Sequence, residues 1–157
     1  MIENEELLSV IPHRGKMLLL SRITDFNVEN RSIEAEFDIT EDCLFYDSSL
    51  SGIPSWTGFE FIAQAISAFV GIRDRHKKAC KVGFILGVSQ MRMEVPLFKA
   101  GSIIKIKADE IGNMDPAYVF EGRIFLDGKI AVEGKLTVMD VDDEQLQEIK
   151  KENNSSE

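Results

Sequence analysis

The chain is poor in the residues that most often announce chemistry. Its 157 residues include two cysteines, two histidines, one tryptophan and four prolines. Cys43 and Cys80 lie far apart, with no CxxC and no nearby histidine cluster. They read as free thiols rather than a disulfide framework or a metal site. No apolar run approaches the ~18 residues of a membrane-spanning helix, and Met1–Glu6 is acidic where a signal peptide is basic. Positive charge is also short: 18 Lys and Arg stand against 27 Asp and Glu, a formal net charge of -9. Such a surface lacks the basic excess that neutralises nucleic-acid or lipid phosphates. These absences predict a cytoplasmic protein with no metal, no nucleic-acid partner and no membrane association.

What is present suits one packed domain. Hydrophobic residues make up 44% of the chain, enough for a sizeable core at this length. The domain is expected over residues 1–140, followed by a polar tail over 141–157 in which Leu146 and Ile149 could form a weak last helix. Residues 2–9 read as a short acidic helix, broken by Pro12-His13-Arg14-Gly15 before the apolar Met17-Leu18-Leu19-Leu20. Residues 32–39 alternate, with Ile33, Ala35, Phe37 and Ile39 on one face and Glu34, Glu36 and Asp38 on the other, as in a half-buried antiparallel strand. Four further strand-like segments follow at 82–93, 102–111, 117–126 and 129–139. Asp127-Gly128 between the last two signals a tight hairpin.

One more absence directs attention to a site. Between Ser48 and Ile72, 25 residues carry a single charge, Glu60, where an average stretch of that length holds about six or seven. Residues 54–72 read as a helix opened by Pro54 and ended near Gly71. Trp56, Phe59, Ile62, Ile66, Phe69 and Val70 spread around most of its circumference, so other structure must wrap it. Strands, one long apolar helix and a meander of strands together predict an α+β hot-dog architecture: an antiparallel sheet curled around that helix. Thr57, Glu60, Gln64 and Ser67 lie along one line of the helix. They form either a narrow solvent face or a polar line in a partly enclosed apolar site. His76 lies in the charged run 73–78 and reads as solvated; His13 sits in a loop between the acidic helix and the apolar segment.

Three segments, in order, resemble the bacterial 3-hydroxyacyl-acyl-carrier-protein dehydratases, the FabZ/FabA group. Pro12-H-R-G-K-M-L-L-L-S-Arg22 resembles their P-H-R-x-P-x-L-L-[VL]-D-R opening. Pro54-S-W-T-G-F-E-F-I-A-Q-Ala65 is similar to their P-G-V-L-x-x-E-A-M-A-Q-A helix, and Phe84-I-L-G-V-S-Q-M-R-Met93 to F-A-G-I-D-x-x-R-F. The form G-I-P-x-W-x-G-x-E-x-x-A-Q looks most like the ApeP-type branch of aryl polyene pathways. Together the segments span roughly residues 8–139.

The resemblance implies that His13 takes the C2 proton of a 3-hydroxyacyl thioester and Glu60 helps the 3-hydroxyl leave as water. It places Ser55 and Trp56 at a helix start whose backbone N–H groups hold the thioester carbonyl, with Gln64 also lining the substrate site. It implies no metal or organic cofactor, since the substrate rides on the phosphopantetheine of acyl carrier protein, the expected partner. A homodimer, or a heterodimer with a paralogue, is implied too, with His13 from one chain meeting Glu60 of the other. The chemistry suits these residue types: an α-proton needs a positioned base, a developing enolate needs donors, and hydroxide needs an acid to leave. Candidate docking charges are Arg73, Arg75, Lys77, Lys78 and Lys81, or Arg92 and Lys99. Two departures stand out: Ser55 in place of the usual glycine, and a stretch at 45–54 without G-H-F-P. They leave open a non-catalytic subunit paired with an active dehydratase, and a thioesterase using Glu60 is a further alternative.

Overall fold

The computed structural model describes residues 1–76, 82–141 and 143–154; Cys80, Lys77, Lys78 and Lys81 lie outside them. Strand β1 (Ile2–Glu3) leads into helix α1 (Asn4–Val10), a 3-10 turn at Gly15–Met17, and strands β2 (Arg22–Asn27) and β3 (Ser32–Asp38). A short strand β4 (Gly52–Pro54) and a 3-10 turn at Ser55–Thr57 precede the long helix α2 (Gly58–Arg73). Strands β5 (Val82–Met93), β6 (Leu97–Lys99), β7 (Ile103–Met114), β8 (Ala117–Leu126) and β9 (Lys129–Val141) follow, then helix α3 (Asp143–Asn154).

Seven strands form one antiparallel sheet in the order β1-β2-β3-β7-β8-β9-β5, while β4 and β6 pair separately. The alternation at 32–39 is realised. Ile33, Ala35 and Phe37 are buried, and Glu36 and Asp38 turn outward to Arg22 at 2.8 and 2.7 Å. Asp127 and Gly128 both take positive φ, 50° and 76°, the mirror-image turn that matches strand twist, and Leu126 pairs with Lys129 across it. The strands predicted at 102–111 and 129–139 run longer, to Met114 and Val141. Val141 therefore pairs with Val82 inside the sheet, and the last helix expected in the polar tail forms as α3.

Helix α2 is wrapped as its composition requires. Phe61, Ile62, Ala65, Ile66, Ala68, Phe69 and Ile72 are all buried, each large one contributing about 1.5–3 kcal/mol of transfer free energy. Edge-to-face rings fix it to the rest of the fold: Phe61 against Phe98 at 6.5 Å and Phe69 against Phe120 at 6.1 Å. Two glycines set how closely its neighbours approach. A Cβ on Gly122 of β8 would fall 2.3 Å from Ile62, and one on Gly71 of α2 would fall 1.9 Å from the Val10 carbonyl oxygen at the end of α1. Helix α1 thus rests directly on the α2 backbone, and the chain leaving it is delivered to α2's polar line.

Candidate active site

That chain is the loop Ile11–Arg14, and Arg14 fixes its shape. Its guanidinium donates to the carbonyls of Leu8, Ile11 and His13 at 2.6–2.8 Å, capping the open C-terminal end of α1. His13 is half-buried, and its Nδ1 is buried without a hydrogen-bond partner. Burial holds the His13 pKa below the ordinary imidazole value; the nearby Glu60 carboxylate opposes that shift, and the Arg14 charge reinforces it. A histidine lowered in this way is a neutral base at neutral pH.

Glu60, in the first turn of α2, is half-buried and accepts a hydrogen bond from Gln64 Nε2 at 3.1 Å. It lines the same cavity as His13, a space of about 770 Å³ that also touches Ala63, Ile66, Val70 and Phe84. The cavity follows α2 from Glu60 to Asp74, about 21 Å at the helical rise of ~1.5 Å per residue. Its apolar middle is bounded by α1 on one side and the start of β5 on the other. Thr57 and Gln64 are each 1% exposed, so the polar line of α2 is not a solvent face.

His13 and Glu60 of one chain thus line a common cavity. The expected binding residues stand elsewhere or are already engaged. Ser55 is buried with its capacity taken: its N–H donates to the Pro96 carbonyl at 3.0 Å and its hydroxyl to the Val95 carbonyl. Trp56 is 59% exposed and lines a separate recess with Met93, Glu94 and Pro96. Neither Ser55 nor Trp56 reaches the His13–Glu60 cavity. Gln64 does line it, but its amide is held by the protein itself: the oxygen accepts from Leu19 N–H at 2.7 Å, and the nitrogen donates to the Met17 carbonyl at 2.8 Å and to Glu60. Arg14 was not singled out by sequence, although its place beside His13 and a helix end was a usable signal.

The other predicted charges are less available than composition suggests. Arg73 pairs with Asp74 and Asp140 and lies 5.2 Å from the Tyr118 ring centre; Arg75 pairs with Glu6, and Arg92 with Glu94 and Glu133. Lys99 is exposed, as is His76. The Cys43 thiol accepts from the Thr40 N–H at 3.2 Å. Among the described residues no three His, Cys, Asp or Glu side chains gather as metal ligands would, and no helix is long and apolar enough to cross a membrane.

A curled antiparallel sheet around one apolar helix, with a cavity beside that helix, is the hot-dog architecture. The particular family follows from direct comparison: residues 5–151 match the model of the ApeP-like family, described as ApeP dehydratase. The chain belongs to that family. It is similar to the 3-hydroxyacyl-[acyl-carrier-protein] dehydratase FabZ of Sulfurimonas denitrificans, 29% identical with 87% of this chain and 95% of that protein covered. FabZ of Chlamydia trachomatis serovar L2 is 24% identical over 90% of this chain and 94% of its own length. Among solved structures, the dehydratase heterocomplex ApeI:P from Xenorhabdus doucetiae contains a chain that superposes with a TM-score of 0.80 at 26% identity, covering 91% of this chain and 95% of that one.

Proposed function

We propose that this chain dehydrates a 3-hydroxyacyl thioester, carried by acyl carrier protein, to the trans-2-enoyl thioester, in the cytoplasm. The observation that carries the reading is the His13–Glu60 pair on one cavity wall beside an apolar channel. His13 takes the C2 proton, the C2–H electrons become the second bond between C2 and C3, and the C3–O bond breaks. Glu60 gives the departing hydroxyl a proton, so water leaves. The pair must hold one proton at the outset, and it holds one again afterwards, now on His13. Because the two side chains face one cavity, passing that proton back to Glu60 resets the site without a third group. The Arg14 guanidinium lines the same wall and favours the negative charge that develops on the thioester oxygen. The apolar channel suits an acyl tail, and no step needs a metal or organic cofactor.

The partner follows from the sheet edge. Strand β5 is an edge strand of twelve residues, with Phe84, Leu86, Val88 and Met93 exposed and Phe84 also lining the cavity. An edge that long and apolar calls for a covering strand. A second hot-dog chain, its own copy or a paralogue, would supply one and would close the cavity beside Phe84. The test is intact mass after incubation with 3-hydroxyacyl carrier protein, for the chain alone and with its paralogue. Loss of water with the thioester intact is expected. Release of free acid, or an unchanged substrate in both mixtures, would overturn the reading.

A further inference from the structure

The cavity beside α2 does not stay apolar to its far end. Ala63, Ile66, Val70 and Val138 line its middle, but at the last turn of α2 it meets Asp74, Arg75 and Asp140. Most of that charge is already engaged. Arg73 donates to Asp74 at 3.1 Å and to Asp140 Oδ2 at 3.2 Å, with its guanidinium carbon 5.2 Å from the Tyr118 ring centre. Arg75 turns to Glu6 of α1 at 3.3 Å.

Asp140 keeps one atom in reserve. It stands on β9, is only 7% exposed, and is bonded through Oδ2; among the described residues no group donates to Oδ1. Strand β5 leaves that oxygen approachable. Gly83, the register partner of Asp140, lines the same cavity, and a side chain there would begin 3.9 Å from Oδ1. A carboxylate oxygen can only accept. An acyl chain that reached this point and ended in a methyl group would strip water from Oδ1 and leave it unpaired, which is unfavourable for a buried charged acceptor. A chain ending in a donor would replace that water.

We propose that the far end of the cavity is a subsite for a hydrogen-bond donor, so that the preferred acyl group ends in a hydroxyl or another donor, with Asp140 as the specificity-determining residue. Arg73 holds the carboxylate in place. It lies thirteen residues beyond Glu60, ~20 Å at the helical rise, and that span sets how long an acyl group must be to reach the subsite. The proposal rests on the dehydratase reading for its direction, with the thioester at the Glu60 end and the tail at Asp140.

Calorimetry with acyl-pantetheine thioesters tests it. The probes lack the 3-hydroxyl, so they bind without turning over. They differ only at the far end, which is methyl, hydroxyl, methyl ether or carboxylate, each over a series of chain lengths. At the length that reaches Asp140, the hydroxyl tail should bind about tenfold tighter than the methyl ether, the scale of one hydrogen bond to a charged acceptor. Asp140→Asn keeps an acceptor for Arg73 and turns an amide N–H toward the cavity, so the preference should fall to within about twofold. Gly83→Val leaves the Arg73 pair untouched and fills the approach to Oδ1; it should erase the same preference, and it serves alone if Asp140→Asn does not fold. Equal binding of hydroxyl and methyl ether at every length, or no binding of either, would overturn the proposal. So would a preference unchanged in either folded variant. A carboxylate tail bound most tightly would also overturn it, because recognition would then lie with Arg75. The dehydratase reading fails separately: intact mass would show no loss of water from any 3-hydroxyacyl carrier protein, while the tail preference in binding persisted.

Discussion

Two polar clusters lie along α2 and its opening turn, and they are built to opposite ends. At Ser55–Thr57 the polar groups are closed on the protein: the Ser55 N–H and hydroxyl go to Pro96 and Val95, and the Thr57 hydroxyl donates to the Pro54 carbonyl at 2.7 Å. One turn further on, capacity is left over. His13 Nδ1 has no partner and one oxygen of Glu60 has no bond from Gln64, although both side chains are half-buried. Buried groups that are fully paired hold a fold together, and incompletely paired ones beside a cavity are available to a substrate. The difference separates scaffold from site more sharply than residue type does, since serine and threonine are as reactive on paper as glutamate.

The strongest way to break this contrast is to remove the unpaired groups. His13→Ala and Glu60→Gln should each lower dehydration at least about a hundredfold, the range for a positioned acid or base, while the melting temperature changes little. Near-parental turnover in either purified variant would erase the distinction. The paired cluster should respond in the opposite sense. Ser55→Ala leaves the carbonyl of the half-buried Val95 without its hydroxyl donor, so stability should fall by about 0.5–1.5 kcal/mol in denaturant titration with turnover per folded molecule nearly unchanged. A collapse of turnover at full stability would move Ser55 into the site.

A gentler probe sharpens the comparison through pH. His13 is held below the ordinary value of 6.5 by burial. The acid limb of the rate profile, where the base is lost to protonation, should therefore have its midpoint below 6.5. Stability carries the same sign. Above 6.5 the group is neutral in both folded and unfolded chains and contributes nothing; as pH falls through 6.5 toward the lowered folded value, the unfolded chain takes up the proton more readily and stability is lost. In His13→Ala that part of the pH dependence should vanish from thermal melts. A limb centred above 6.5 would contradict the burial of His13.

Sequence pattern carried much of the scaffold. Period-two alternation placed β3, the Asp-Gly pair placed the β8–β9 hairpin, and an apolar circumference marked α2 as the enclosed helix. Pairing of short strands was not legible: β1, β4 and β6 have two or three residues each, too few for periodicity to register. At the site, Glu60 was conspicuous because it stood alone among apolar residues, and His13 through the motif around it. The surroundings of Ser55 and Trp56 were not readable, for a simple physical reason. Their positions at a helix start were legible, but the hydrogen bonds of Ser55 to Val95 and Pro96, some forty residues later, depend on tertiary contact. Gln64 is the same case, since its partners Met17 and Leu19 lie 47 and 45 residues away. Its role depends on which backbone atoms the fold delivers.

The crossing of α1 over Gly71 sets a mechanical tolerance for the whole molecule. Between Gly71 and Val10 there is no spare room: a single methyl group would stand 1.9 Å from the carbonyl oxygen, so the two backbones would have to part by about 1.5 Å to regain ordinary contact. Val10 is three residues ahead of His13, and Gly71 is eleven beyond Glu60, a distance of about 16 Å along the helix. A hydrogen atom in place of a side chain, well away from the cavity's Glu60 end, thus works as the shim that fixes where the His13 loop meets α2. Misplacement of about 1 Å is enough to slow a reaction a hundredfold, so the alignment tolerance of the site is set at that remote contact as much as at the side chains that do the chemistry.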